Sequence, residues 1–295
     1  MKIGVVVPQG FSGEYDGWEA QDAWARTVSV ALQAERLGFD SIWLFDHLHT
    51  APEPIDDITF ESFTSLAALA SLTTRVRLGI LVACAGYRNP ALMAKMISTM
   101  DAISAGRMEL GIGAGWKEDE WVAYGYGFPS IRQRMDILAD SLQVVTRMLL
   151  PGRASYDGKH ASVHEAINMP VGLQLPRIPI MVGGNGPNST WRLAVQFADE
   201  LNLNGTSPNE TQDAIKLIRS RCQEAGRDPA SLRVSVHISW HDANESGKSR
   251  VKSLREYSKL GIDRVMALIQ PSAYTDDALN LLAIDARAAG LEIEV

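Results

Sequence analysis

The chain has 295 residues, of which 46% are hydrophobic and 21% are charged, an ordinary composition for a globular protein. Its formal net charge of −7 excludes a general nucleic-acid binder, because such a protein presents a basic surface to the phosphates. The two cysteines, Cys84 and Cys222, are too few for a disulfide framework or a cysteine-based metal site.

The amino terminus and the apolar runs predict where the protein resides. Met1 leads directly into a strand-like segment, with no signal-peptide pattern. No apolar run approaches the ~20 residues that a membrane-spanning helix needs. We therefore expect a soluble protein in a reducing, cytoplasmic setting, without membrane partners.

Strand-like and helical patterns alternate along the whole chain. Short apolar runs predict eight strands, at residues 2–7, 41–45, 76–82, 108–113, 178–182, 200–204, 233–239 and 264–269. Helical patterns follow them at residues 18–37, 60–72, 90–103, 130–150, 189–197, 209–225, 245–260 and 274–289. Continuously apolar strands are typical of a parallel sheet covered by helices. Eight such repeats favour one α/β domain over residues 1–295, a closed (β/α)8 TIM barrel, with an open doubly wound sheet as the alternative.

Two long loops interrupt the alternation. Residues 151–177, inserted before the fifth strand, contain an Asp157-Gly158 pair that is typical of a hairpin turn. The loop at 48–58 carries three acidic residues and two prolines. Long loops in compact domains are usually functional or disordered. We expect both loops to lie at the ligand-binding end of the barrel, where they would shape a substrate pocket and limit water.

Glycine-rich turns follow the fourth and fifth strands, at residues 113–115 and 183–186. Glycine lets the backbone come within contact distance of a ligand, because it has no Cβ. The second turn comes just before a predicted helix, whose first N–H groups could receive a phosphate. The alternative for this turn is a tight connection without a ligand.

Asp46 and His47 end the second strand, at the edge of the barrel where active sites of this fold are built. Histidine titrates near neutrality and an adjacent carboxylate can fix its tautomer, which makes His47 the acid–base candidate. The alternative is that Asp46 caps the turn and that His47 is a polar residue of the rim. His47 and His49 also permit a metal-dependent hydrolase, but the other strand ends supply no further ligands. His237, inside the seventh strand, is expected to be packed or hydrogen-bonded there, and we predict no metal.

Several motifs, taken in order, resemble the luciferase-like monooxygenase superfamily. They are GFDSIW at 38–43 running into Asp46-His47, RLG at 77–79, YRNP at 87–90, SAGR at 104–107, LGIGAGW at 110–116 and PIMVGG at 179–184. The resemblance extends over essentially the whole chain. Within the superfamily the chain is most similar to the oxidoreductases that depend on the deazaflavin coenzyme F420. Members are α/β barrels, commonly dimeric, that bind a flavin or a deazaflavin at the C-terminal mouth.

The resemblance implies roles for individual residues. His47 would be the acid–base group near the hydride-transfer face of the ring. Leu81–Val82 would be a non-prolyl cis peptide bond in a bulge that backs the ring, and the 183–186 turn would take the cofactor phosphate. Cofactor contacts are implied for Asp46, Leu81, Val82, Gly113, Ala114, Gly115, Gly183, Gly184, Asn185 and Gly186.

Trp116 departs from the pattern of the sugar-phosphate dehydrogenases of this superfamily, which carry a catalytic glutamate at its position. An indole cannot act as a base, so we expect a different reaction. A more apolar or aromatic substrate, with Trp116 lining its pocket, fits the residue better. The aromatic residues that follow it are expected to cover the end of the barrel.

These observations predict a homodimeric oxidoreductase that transfers a hydride between coenzyme F420 and a small organic substrate. The alternative is a luciferase-like monooxygenase that uses reduced FMN and O2 at the same binding site. The oxygen-using members more often carry paired histidines where this chain has Asp46 and His47. A flavin-binding protein without catalysis is a further alternative.

Overall fold

Eight parallel strands pair in a ring, and helices surround them. The computed structural model describes residues 1–293. Its strands are β1 Lys2–Val6, β2 Ser41–Leu44, β3 Arg77–Ile80, β4 Ala83–Cys84, β5 Met108–Gly113, β6 Arg153–Asp157, β7 Ser162–Ile167, β8 Ile180–Gly183, β9 Glu200–Asn204, β10 Arg233–His237 and β11 Arg264–Leu268. Its α-helices are α1 Ala20–Leu37, α2 Ser62–Leu72, α3 Pro90–Ile103, α4 Glu118–Ala123, α5 Ile131–Met148, α6 Thr190–Phe197, α7 Pro208–Glu224, α8 Trp240–Asn244, α9 Lys248–Lys259 and α10 Asp277–Ala289.

The ring closes through a pair of strands that are distant in the linear order of the sheet. That order is β3-β2-β1-β11-β10-β9-β8-β5, and β5 pairs again with β3 through Leu78–Met108 and Gly79–Glu109. Every residue of β2, β5 and β11 is buried, as expected for strands covered on both faces. The predicted TIM barrel is confirmed, and the open sheet is wrong.

The third strand is shorter than the predicted range of residues 76–82. It is β3, which ends at Ile80, and β4, just beyond the predicted range, pairs with β5 after residues 81 and 82. The Leu81–Val82 peptide bond is cis, as the resemblance implied. Helix ends follow local sequence: Asn89 accepts from the first N–H groups of α3, Pro90 occupies its first turn, and Ser130 forms a capping box with Gln133 on α5. Helix α8 was not predicted.

The insertion at 151–177 lies at the other end of the barrel from the one predicted. Strands β6 and β7 form an antiparallel hairpin that packs on α5, where the Tyr156 hydroxyl lies 2.6 Å from Asp140 Oδ1. Farther on, Gln174 Nε2 donates to the carbonyl of Met108, the first residue of β5, at 2.7 Å. A segment that joins a helix to the next parallel strand reaches the amino ends of the strands, so the predicted position was wrong.

The two long loops therefore differ in position. The 48–58 loop does lie at the carboxyl end, where Lys117 Nζ donates to the Pro52 carbonyl at 3.1 Å. The hairpin of the insertion turns through four residues, 158–161, instead of through a two-residue Asp-Gly turn. Within residues 1–293, no helix combines the length and the apolar character needed to cross a bilayer.

Buried charges close the amino end of the barrel. Arg264, the first residue of β11, donates to Glu109 and Glu200 at 2.7 Å each and to Asp40 at 3.0 Å. The side chains of Arg264, Glu109 and Glu200 are 5% exposed or less. Burial by itself raises the pKa of Glu109, but Arg264 and Arg77 lower it more, so the pKa lies below its ordinary value.

Replacing Arg264→Leu is expected to lower the free energy of unfolding by about 3–5 kcal/mol, because two buried carboxylates lose their shared cation. The wild-type contribution of Glu109 is present above its ordinary pKa of 4.5 and is lost as the pH falls toward the lowered folded-state value. Urea denaturation between pH 3 and pH 7 should therefore show the wild type and the variant converging at acidic pH.

Lys2→Met is the matched control. Lys2 also bonds Asp40, at 2.9 Å, but its side chain is 51% exposed. An exposed ion pair contributes less than about 1 kcal/mol, so this variant should remain close to the wild type. Equal losses in the two variants would contradict the importance of the buried network.

Candidate active site

A cavity of about 570 Å³ opens at the carboxyl ends of the barrel strands, the position and size expected of a small-molecule site. Among the residues predicted to contact a ligand, those that border it are Asp46, His47, Leu81, Val82, Ala114, Gly115, Trp116, Gly183, Gly184, Asn185 and Gly186. Gly113 does not border it. A Cβ on Gly113 would lie 2.8 Å from Val82 Cγ2, so this glycine is needed beneath the bulge.

His47 is held by contacts on three sides. Its Nδ1 lies 2.9 Å from Glu120 Oε2. The ring stacks on Phe11 with centroids 4.4 Å apart, and Trp116 meets it edge-on at 5.7 Å. With Nδ1–H donating to the carboxylate, the lone pair lies on Nε2, for which the described part of the chain offers no hydrogen bond.

Glu120 is the functional residue that sequence reasoning missed. It lies on α4 and is fully buried, and it accepts from the Tyr87 hydroxyl at 2.6 Å and from Leu48 N at 2.5 Å as well as from His47. Burial alone raises the pKa of Glu120, but these hydrogen bonds lower it more, so the carboxylate is ionised. Burial and Glu120 raise the pKa of Tyr87, which keeps its O–H as a donor.

Asp46 does not orient His47, which corrects the sequence-based expectation. Successive residues of an extended chain point to opposite sides. The Asp46 carboxylate accepts from Arg88 at 2.7 and 2.9 Å, from Ser62 Oγ at 2.8 Å and from Cys84 N at 2.8 Å. Asp46 thus joins the end of β2 to β4 and α2, and Glu120 supplies the carboxylate that His47 needs.

The glycines of the two turns make room for side chains of the protein. A Cβ on Gly183 would lie 2.8 Å from Val82 Cγ1, and one on Gly115 would lie 2.5 Å from Cys84 Sγ. Gly115 and Gly184 also have φ of +79° and +134°, where a side chain is strained. Contacts with neighbouring side chains explain Gly183 and Gly115, and backbone conformation explains Gly184, without a ligand.

The 183–186 turn still presents polar groups to the cavity. Ser189, the N-cap of α6, makes no side-chain capping bond, and Ser189 and Thr190 both border the cavity. The Asn185 amide exchanges hydrogen bonds with the Asn204 backbone at 2.7 and 2.9 Å, so it anchors the turn to β9. An anion here would be bound by backbone N–H groups and two hydroxyls.

One cation borders the cavity among the lysines and arginines of residues 1–293. It is Lys117, whose Nζ lies 2.6 Å from Asp119 and is thereby neutralised. The bordering Asp46 carboxylate is likewise paired, with Arg88. Burial raises the pKa of the Cys84 thiol to about 12, so this bordering sulfur stays protonated.

His237, the last residue of β10, also borders the cavity and is 7% exposed. Its Nδ1 lies 3.0 Å from Asn204 Oδ1, and its ring contacts Phe45 with centroids 5.5 Å apart. The expectation that His237 is hydrogen-bonded within the barrel is therefore correct for one of its ring nitrogens only. The strand pattern gave no signal that His237 faces the cavity. Alternation along a strand does not show at which residue the cavity begins.

The remaining candidates form the outer rim. Trp121 is buried against Tyr87, whereas Trp116 is 65% exposed at the mouth. His49 Nδ1–H donates to the Thr50 carbonyl oxygen at 2.9 Å, and the ring of His49 stacks on Tyr124. No three His, Cys, Asp or Glu side chains within residues 1–293 are grouped to hold a metal ion, so this geometry gives the metal-dependent hydrolase no support.

Comparisons with known proteins relate the chain to others in sequence and in fold. An uncharacterised protein of Mycobacterium tuberculosis is 27% identical over 268 residues, which cover 85% of this chain and 89% of that protein. The F420-dependent glucose-6-phosphate dehydrogenase of Microbacterium testaceum is 27% identical over 234 residues, covering 76% of this chain and 67% of the relative. A solved F420-dependent secondary alcohol dehydrogenase, in complex with an F420-acetone adduct, has a TM-score of 0.81 at 18% identity over 98% of each chain.

The profile described as luciferase-like monooxygenase matches residues 1–280. That range includes every strand of the barrel and all the residues described above at its carboxyl end. The chain therefore belongs to the luciferase-like monooxygenase family.

Proposed function

We propose that the chain is an F420-dependent oxidoreductase that transfers a hydride between the deazaflavin and a small organic substrate. The observation that carries this proposal is the His47–Glu120 pair at the mouth of the cavity. It provides one oriented proton-transfer group, whereas the bordering Asp46 carboxylate is held by Arg88 and Ser62. The F420-dependent relatives in sequence and in structure support the choice of cofactor.

The residues present fit a flat phosphorylated ring. Val82 and Phe11 give the cavity apolar walls, and the cavity volume of about 570 Å³ lies in the range of cofactor sites. Ser189, Thr190 and the N–H groups before α6 would hold a phosphate. Coenzyme F420, when bound, supplies or accepts the hydride.

His47 would manage the proton that accompanies the hydride. Glu120 fixes the tautomer in which Nδ1 carries a proton, so Nε2 is the atom that accepts or returns the second proton. The ionised carboxylate also stabilises the imidazolium that forms when Nε2 is protonated. Phe11 and Trp116 restrict the ring to one orientation and limit water around it.

The substrate would be uncharged and partly apolar. A sugar phosphate would need a second anion site, because the turn before α6 is assigned to the cofactor phosphate and the bordering Lys117 is already paired with Asp119. Trp116 stands at the mouth beside His47, where its indole would cover an aliphatic or aromatic group. These points favour a small alcohol or a carbonyl compound over a phosphorylated sugar.

Two further expectations remain predictions. The resemblance implies a homodimer, which light scattering on the purified protein would test. The alternative function is an FMN-dependent monooxygenase, since the matching family is that of the luciferase-like monooxygenases. Both cofactors would use the same cavity.

Fluorescence titration of the purified protein should show tighter binding of F420 than of FMN. The expectation rests on the F420-dependent relatives in sequence and in structure. Tighter binding of FMN, with turnover that requires reduced FMN and O2, would instead establish the monooxygenase.

His47→Ala is expected to lower turnover by about 10²–10⁴-fold, the usual contribution of a positioned acid–base group, while the Kd for F420 changes little. Turnover can be followed through F420 absorbance with a panel of small alcohols and carbonyl compounds. His49→Ala is the matched control, since His49 bonds the Thr50 carbonyl and does not border the cavity. Equal turnover in the two variants would remove His47 from the mechanism.

Glu120→Gln should reverse the tautomer of His47, because an amide N–H can donate to Nδ1 and leave the proton on Nε2. We expect turnover to fall by about 10²–10⁴-fold, as when a carboxylate that orients a histidine becomes an amide. Ring nitrogen NMR shifts of His47 report the tautomer directly. Glu118→Gln, an exposed carboxylate on the same helix, should change neither the shifts nor the turnover.

A further inference from the structure

A buried acceptor in the cavity has no role in the proton transfer described above. His237 is 7% exposed and borders the cavity, and its Nε2 has no hydrogen-bond partner within residues 1–293. Burying such a group without a partner destabilises the protein. Buried polar atoms are nearly always paired, so an unpaired one that faces a ligand cavity points to a group of the ligand.

The ring of His237 is fixed in one state. Asn204 lies beside it in the β9–β10 register, and Nδ1–H donates to the Asn204 side-chain oxygen at 3.0 Å. Burial lowers the pKa of His237 to about 4, so the ring is neutral at physiological pH. A neutral imidazole with Nδ1 protonated offers a lone pair at Nε2 and cannot donate there.

His237 lies deeper in the cavity than the residue assigned to the substrate. Phe45 contacts both histidines, with ring centroids 5.5 Å from His237 and 6.5 Å from His47. The Nδ1 of His237 is held by Asn204, which also bonds Asn185 in the turn before α6, and this contact leaves Nε2 free. His237 is 7% exposed, whereas Trp116 is 65% exposed at the mouth. A group that reaches Nε2 therefore belongs to the more deeply buried ligand.

We propose that His237 is a positioning and specificity residue whose Nε2 accepts a hydrogen bond from an O–H or N–H group of the bound cofactor. This inference rests on the proposed function, in which the more deeply buried ligand is the cofactor and the ligand at the mouth is the substrate. A cofactor that placed a carbonyl oxygen at Nε2 would meet two lone pairs facing each other, so the site selects for a donor.

The test is the Kd for coenzyme F420, measured by fluorescence titration without substrate. His237→Leu removes the acceptor at similar volume and is expected to weaken binding about tenfold. His237→Gln restores a side-chain oxygen and should regain most of that loss. His164→Leu, at an exposed position of β7 far from the cavity, should bind as the wild type does.

Three other outcomes would contradict the proposal for His237, and each has a different cause. If the Leu variant binds F420 as tightly as the wild type, Nε2 is satisfied by solvent and the inference is wrong. If the Gln variant is as weak as the Leu variant while both keep the wild-type thermal midpoint, the effect is one of shape and the hydrogen bond is excluded. If the wild type itself binds neither F420 nor FMN, the proposed function fails, and this inference fails with it.

Discussion

The hydrogen bond between Glu120 and His47 is the constraint on which the candidate site depends. It joins residues 73 positions apart, from the end of β2 and from α4. A buried carboxylate is costly unless its oxygens accept hydrogen bonds, and Tyr87 and Leu48 supply the others. Any variant that disturbs α4 therefore changes the orientation of His47, even though the histidine itself sits on the barrel rim.

The amino and carboxyl ends of the barrel differ in how they use charged residues. At the amino end, Arg264 binds carboxylates from β5 and β9, and this buried network ties distant strands together. At the carboxyl end, the strands leave a cavity with few charges. The charged groups that border this cavity, Asp46 and Lys117, are each held in an ion pair, with Arg88 and Asp119 respectively.

The glycine turns show how one sequence signal can arise from two causes. Glycine permits close approach of backbone to a ligand, and it equally permits close approach of backbone to a neighbouring side chain. Here the bulge at Val82 fills the space beside Gly113 and Gly183. The polar groups toward the cavity come instead from the uncapped start of α6 and from His237, which the glycine pattern does not reveal.

Local pattern alone determined the eight strands, their helices and hence the barrel, because periodicity and turn residues act over a few positions. It also placed His47 and both glycine turns at one edge, since parallel strands end together. Only the tertiary structure decided which carboxylate meets His47, on which face the 151–177 insertion packs, and that His237 faces the cavity. Those outcomes depend on contacts between segments far apart in the chain. Local residue spacing does not specify how such segments are positioned and oriented relative to one another.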